Sequence, residues 1–130
     1  MIKVFKEKGD WSSKVNFVDD KNNLVGYDTA DDCCAHGFYF IAPEVITTGS
    51  GEYDGKPDPD LSDYEFDTQF FVDQRKDHKN YGDSQADNAV VFRMISLKKP
   101  HLYLHLYNSH NGYYWKGFEA SFGEIKEGRV

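Results

Sequence analysis

Two cysteines in 130 residues, side by side at Cys33 and Cys34, leave the chain without a disulfide framework. Ordinary bridge geometry disfavours bonding neighbours. No run reaches the ~20 apolar residues that a membrane-crossing helix needs. The first ten residues, MIKVFKEKGD, lack an apolar signal core, so no secretion is expected. Together these shortages point to reduced thiols and a cytoplasmic location. Motifs for chemistry are missing too: there is no G-x-S-x-G, no P-loop and no glycine-rich dinucleotide fingerprint. No internal repeat is visible. Positive charge is also short, with 15 Lys and Arg against 22 Asp and Glu and a formal net charge of −7.

The charge deficit is local. Residues 1–51 carry eight acids and five bases, residues 52–87 eleven and four, and residues 101–130 three and three. Between them, residues 88–100 carry three bases, Arg93, Lys98 and Lys99, and no acid. The acidic middle segment is unsuited to nucleic-acid phosphates and suited to a basic partner. What the chain has in quantity is aromatic surface, 16% of residues, which suits a sheet core. Its length fits one domain, residues 1–130, able to bury a core without disulfides or a structural metal.

Periodicity gives mainly strands. Ile2 and Val4 start a short strand or arm ending at Gly9-Asp10. Val15 and Phe17 alternate with Lys14, Asn16 and Val18. After the polar turn Asp19–Asn23, residues 24–28 return, so 13–28 reads as a hairpin. Residues 28–37 are irregular and polar, and Phe38 to Ala42 is a buried strand stopped by Pro43. Residues 47–63 form an acidic loop rich in glycine and proline. Asp63 to Gln74 is the one plausible helix, with Asp63 as N-cap and Phe66, Phe70 and Phe71 near helical spacing. A strand at 64–66 followed by a helical turn competes with it. Residues 75–88 are loop-like. Asn88 to Leu97 is a strand with Val90, Phe92 and Met94 on one face and Val91, Arg93 and Ile95 on the other.

The most informative stretch is His101 to Phe122. Leu102, Leu104 and Leu106 share one face; His101, Tyr103, His105 and Tyr107 share the other. Read as a hairpin, it needs an odd-length loop or a bulge centred on Gly112 to set Leu106 opposite Phe118, Leu104 opposite Ala120 and Leu102 opposite Phe122. That register also sets His105 beside Glu119. The expected fold is α+β, mainly β: an antiparallel twisted sheet of about five to seven strands with one short helix.

Four constellations bear on function. Asp32, Cys34, His36 and His105 are candidate ligands of a metal such as zinc, or the site of a hydrolase. The spacing matches no established metal motif, so two thiols beside a surface loop is the plainer reading. His105 with Glu119, Tyr103 and Tyr107 could do acid–base work, although alternating His and Tyr more often build a second core layer. Tyr103, Tyr107, Tyr113, Tyr114 and Trp115 with Arg93, Lys98, Lys99 and Lys116 offer stacking surface, with too few bases for nucleic acid. Asp54, Asp58, Asp60, Asp63, Glu65 and Asp67 imitate a row of phosphates, and with Tyr113, Tyr114 and Trp115 they make the favoured partner-binding surface.

Asp31-Asp32-Cys33-Cys34-Ala35-His36-Gly37, with Leu104 to Tyr114 and Gly117-Phe118-Glu119, resembles a family of small phage and bacterial proteins. Its marks are a D-D-C-C-x-H-G segment and an H-N-G-Y-Y-x-x-G-F-E hairpin. The resemblance spans most of residues 13–122. This chain departs from it at Phe38-Tyr39-Phe40, where a glycine or tryptophan is usual, and in the added 47–63 loop. The resemblance implies a context and no reaction: a phage-type counter-defence protein, anti-CRISPR-like, that blocks a basic nucleic-acid-binding surface of a host complex. The expectation is therefore a non-enzymatic inhibitor that binds a protein partner, with no cofactor and no direct nucleic acid or membrane contact. The alternatives are a metal-binding protein or hydrolase, and a binder of a small nucleotide-like ligand.

Overall fold

The computed structural model describes residues 1–9, 12–30, 35–47, 55–75, 86–110, 115–123 and 127–130, without the side chains of 35, 86, 87 and 110. Ten strands run in chain order: β1 Lys3–Lys8, β2 Ser13–Val18, β3 Leu24–Asp28, β4 Ala35–Ala42, β5 Glu65–Phe66, β6 Val72–Asp73, β7 Ala86–Ile95, β8 Leu102–His110, β9 Gly117–Ala120 and β10 Glu127–Arg129. They form two antiparallel sheets rather than the single sheet expected. The first has the order β1-β2-β3-β9-β10. The second has the order β4-β8-β7-β5, with β6 also on β7. No helix among the described residues is long and apolar enough to cross a membrane.

The sheets face each other because each presents an apolar row at every second position. Val15 and Phe17 of β2, Val25 and Tyr27 of β3, and Phe118 and Ala120 of β9 meet Val90, Phe92 and Met94 of β7 and Leu104 and Leu106 of β8 in one buried cluster. Each such side chain contributes about 1.5–3 kcal/mol on burial. Phe92 sits at the junction, with ring centroids 5.4 Å from Phe71, 5.9 Å from Phe122 and 6.4 Å from Phe118. The Tyr27 hydroxyl donates across the interior to the Tyr107 carbonyl at 2.7 Å.

The 13–28 hairpin forms as expected, with Val15 opposite Tyr27 and Phe17 opposite Val25. Its turn is closed by the buried Asp19 carboxylate, which accepts from the backbone N–H of Lys21 and Asn23 at 3.0 and 2.8 Å and from Asn23 Nδ2 at 3.0 Å. A fourth bond, from the N–H of Phe66 at 3.1 Å, ties this turn to β5 of the other sheet.

Two expectations are corrected. Residues 63–74 are not a helix but two short strands joined by turns. The phenylalanines go to different places: Phe66 packs on Phe122 and Phe71 on Phe92, whereas Phe70 packs on Tyr103 and under Arg93. Asp67 starts a turn by accepting from the Gln69 N–H at 3.0 Å. Residues 101–122 are not a hairpin either. β8 pairs with β4 and β7, while β9 pairs with β3 and β10. The leucine row and the Phe118–Ala120 row meet face to face across the interior instead of side by side in one sheet. The turn expected around Gly112 lies outside the described residues.

Candidate functional site

The acidic residues sit on an irregular segment fixed by three buried side chains. Leu61, Tyr64 and Phe66 point into the core. The Leu61 carbonyl accepts from the Ile2 N–H at 3.0 Å, and the Tyr64 hydroxyl donates to the Pro100 carbonyl at 2.8 Å. The intervening acids therefore face outward: Asp60 and Asp63 exposed, Glu65 and Asp67 half-buried. Asp63, Glu65 and Asp67 line a cleft of about 670 Å³ whose other wall holds Arg93, His101 and the fully exposed Leu97.

Most of these acids already have a partner. Asp63 bonds Lys99 Nζ at 3.1 Å and Glu65 bonds Lys21 Nζ at 3.1 Å. Asp67 takes both Nε and Nη2 of Arg93, the former at 2.9 Å. Burial pushes the Asp67 carboxyl up, but the bonds from Arg93 and Gln69 outweigh it and hold it below the usual range. Asp58 accepts from the Tyr39 hydroxyl at 2.9 Å. Asp60 is held below the usual range by the hydroxyl and N–H of Ser62. Two of these pairs differ in kind. The lysine pairs are open to water and worth about 0–1 kcal/mol. The Arg93–Asp67 pair is forked, half-buried and stacked on Phe70, with the guanidinium 4.4 Å from the ring centroid.

The structure does not gather the remaining candidates. Trp115 is half-buried under the Arg129 guanidinium, 5.3 Å from its ring, and is not among the residues lining the acidic cleft. Asp54, Tyr113 and Tyr114 lie outside the described residues, as do Asp32 and Cys34 of the metal candidates. His36 and His105 face Ser109 and Phe40 respectively, four positions apart along β4. That is about 13 Å of strand, too far for one ion with bonds of about 2 Å. Among the described residues no three His, Cys, Asp or Glu side chains form a metal cluster.

His105 is a core residue. It is fully buried on the outer side of β8 and stacked on Phe40 at 4.3 Å. The N–H of Ile46 donates to its Nε2 at 3.0 Å, so the proton sits on Nδ1 and is donated to the Tyr103 carbonyl at 3.1 Å. Burial lowers its pKa to about 4, against the opposing pull of the Tyr103 and Phe40 backbone. It is a neutral second-layer residue, and the expected contact with Glu119 is absent: Glu119 bonds Lys14 Nζ at 2.6 Å on the outside of the first sheet. The periodicity did not reveal the contact of Lys6 with the Tyr39 ring. Its one sequence signal was the alternation Val4, Lys6, Lys8. No family model, curated protein or solved structure matches the chain.

Proposed function

We propose that the protein is a non-enzymatic binding module whose acidic row, Asp60, Asp63 and Glu65, docks on a basic surface of a protein partner. The observation that carries this reading is the anchoring of the row. Leu61, Tyr64 and Phe66 hold the backbone in the core, so the carboxylates are preorganised and binding costs little ordering entropy. The lysines on Asp63 and Glu65 are exposed and weakly held. An arginine from a partner can displace them with a forked pair, as Arg93 does for Asp67. The exposed Leu97 beside the row offers an apolar contact at its edge. In its finer form, following the family resemblance, the partner is a host nucleic-acid-handling complex and the protein a cytoplasmic counter-defence inhibitor.

The test uses Asp60→Asn, Asp63→Asn and Glu65→Gln together. A partner captured from the native host by the wild-type chain is titrated calorimetrically at two salt concentrations. The triple variant should lose at least about tenfold in affinity and show a weaker salt dependence, with an unchanged unfolding midpoint. Equal affinity and equal salt dependence would discard the reading.

A further inference from the structure

β1 is an edge strand with one side open. It pairs only with β2, and among the described residues no other strand lies beside it. The direction of its backbone groups follows from three bonds. The Gly9 N–H donates to the Ser12 carbonyl at 2.7 Å, which continues the β1–β2 register and makes Gly9–Ser12 a hydrogen-bonded pair. Hydrogen-bonded and open pairs alternate along an antiparallel ladder. Lys3, Phe5 and Glu7 therefore turn their N–H and C=O groups toward β2, and Val4, Lys6 and Lys8 turn theirs away. Two further bonds agree. The Thr29 N–H donates to the Ser13 carbonyl at 2.9 Å, on the side of β2 away from β1, and the Ile2 N–H donates to the Leu61 carbonyl at 3.0 Å, on the open side of β1. The Leu61 contact closes the edge at Ile2. From Val4 onward, no backbone bond from another described residue reaches the open side.

The side chains of β1 form two rows. Val4 lies opposite the core residue Phe17, so Val4, Lys6 and Lys8 make the inward row. Its lysines discourage indiscriminate pairing of an edge, and Lys6 rests with Nζ 5.4 Å from the Tyr39 ring centroid. Lys3, Phe5 and Glu7 make the outward row. All three are exposed, Phe5 at 50%. They make no ion pair or ring contact among the described residues.

We propose that β1 pairs with β1 of a second copy, antiparallel about a twofold axis at Phe5. The open backbone groups belong to even-numbered residues in both copies, so hydrogen-bonded pairs form only between even positions. A ladder centred on Lys6 opposes Lys6 to Lys6, and one centred on Glu7 opposes Glu7 to Glu7, both like-charge pairs. A ladder centred on Val4 needs the N–H of Ile2, which Leu61 already holds. Centred on Phe5, each Val4 meets Lys6 of the second copy and exchanges both backbone bonds with it. Phe5 then packs on Phe5, and Lys3 lies opposite Glu7 at either end, with no like charges opposed. The contact uses the same patch on both copies and joins their first sheets into one. A ladder from Lys3 to Glu7 is small beside the ~1,200–2,000 Å² of stable interfaces, so the dimer is weak and dissociates on dilution. It does not involve the acidic row, so either proposal can fail without the other.

Sedimentation equilibrium of the full chain tests it. The weight-average mass should rise from that of one chain toward that of two across ~10–1,000 μM. Lys3→Glu and Glu7→Lys should each raise the dissociation constant at least about tenfold, since each opposes like charges at both ends of the ladder. The double variant sets opposite charges together again and should return to within about threefold of wild type. Both positions are exposed, and an unchanged unfolding midpoint in dilute solution verifies the fold. Deuterium exchange at the Val4 and Lys6 amides, fast in dilute solution, should slow as the dimer fills. A wild-type chain that stays monomeric throughout, single variants that associate as wild type does, a double variant that fails to recover, or exchange that does not slow would each overturn the proposal.

Discussion

Asp19 accepts four hydrogen bonds while nearly excluded from water, and the fourth crosses from one sheet to the other. Burial pushes its carboxyl up, but the bonds from Asn23, Phe66 and Lys21 outweigh it, and its pKa falls below the ordinary 3.8. Its folded pKa is thus below its unfolded one. The stability it contributes is complete above the ordinary aspartate value and is lost as pH falls through the folded value. Asp19→Ala should cost about 2–3 kcal/mol at pH 7, since three backbone N–H donors and the Asn23 amide lose a charged acceptor. Urea unfolding gives that number, and Asp19→Asn should flatten the fall in stability below pH 3.8. His105 has the same sign in a different window. Its unfolded value of 6.5 drops to about 4 on folding. Stability should therefore decline on acidification from 6.5 toward 4, with a limiting slope of about 1.4 kcal/mol per pH unit. His105→Gln should remove that slope, which unfolding at pH 7 and pH 5 would detect.

At the scale of strands, Gly26 shows how tightly the first sheet's outer face is filled. It lies between Asn16 of β2 and Glu119 of β9. A Cβ there would come within 2.7 Å of Asn16 Oδ1 and 3.1 Å of Glu119 Cγ. Gly26→Ala should destabilise by about 1–3 kcal/mol, and Asn16→Ala in the same chain should recover most of it. If the two losses simply add, the crowding argument is wrong. β7 and β8 form the middle of the second sheet, and Val90, Phe92, Met94, Leu104 and Leu106 on their core faces are fully buried. Their amides should be among the slowest to exchange with deuterium, and those of the exposed edge strand β1 among the fastest.

The elements that could be read from the chain were those whose apolar rows have one interpretation. Residues 13–28 alternate cleanly and are joined by a turn whose Asp19 and Asn23 close it locally. The strand expected at 88–97 runs instead from Ala86 to Ile95 and keeps its two faces, Val90, Phe92 and Met94 inward and Val91, Arg93 and Ile95 outward. The 63–74 segment misled because Phe66, Phe70 and Phe71 sit near helical spacing, yet three separate tertiary contacts claim them. The 101–122 stretch misled for another reason. Alternation says which side chains are buried together, but not whether they meet along a ladder or across a sandwich. The acidic row was visible as composition. Its cations Lys21, Arg93 and Lys99 were not, because they come from other parts of the chain.

On the scale of the molecule, charge is unevenly placed. Of the 22 acids and 15 bases, eight acids and three bases fall on residues outside the described ones, so most of the net −7 is carried there. The described residues carry fourteen acids and twelve bases, and the acidic row is three of those fourteen carboxylates. That makes the triple neutralisation of the acidic row a local test. It should alter affinity far more than overall solubility or unfolding.

The first sheet closes through β3 and β9, which are joined in space but separated by all of β4 to β8. During synthesis β1 to β3 leave the ribosome with the apolar side of Val15, Phe17, Val25 and Tyr27 uncovered. Val90, Phe92, Leu104 and Leu106 of the second sheet can cover that side before Phe118 and Ala120 arrive to pair beside β3. Long-range antiparallel pairing of this kind is slow to form. A ribosome stalled with residues up to 110 exposed would therefore present β3 as an unpaired edge and Phe92 without its Phe118 and Phe122 neighbours to chaperones, and release of the final strands would complete the first sheet.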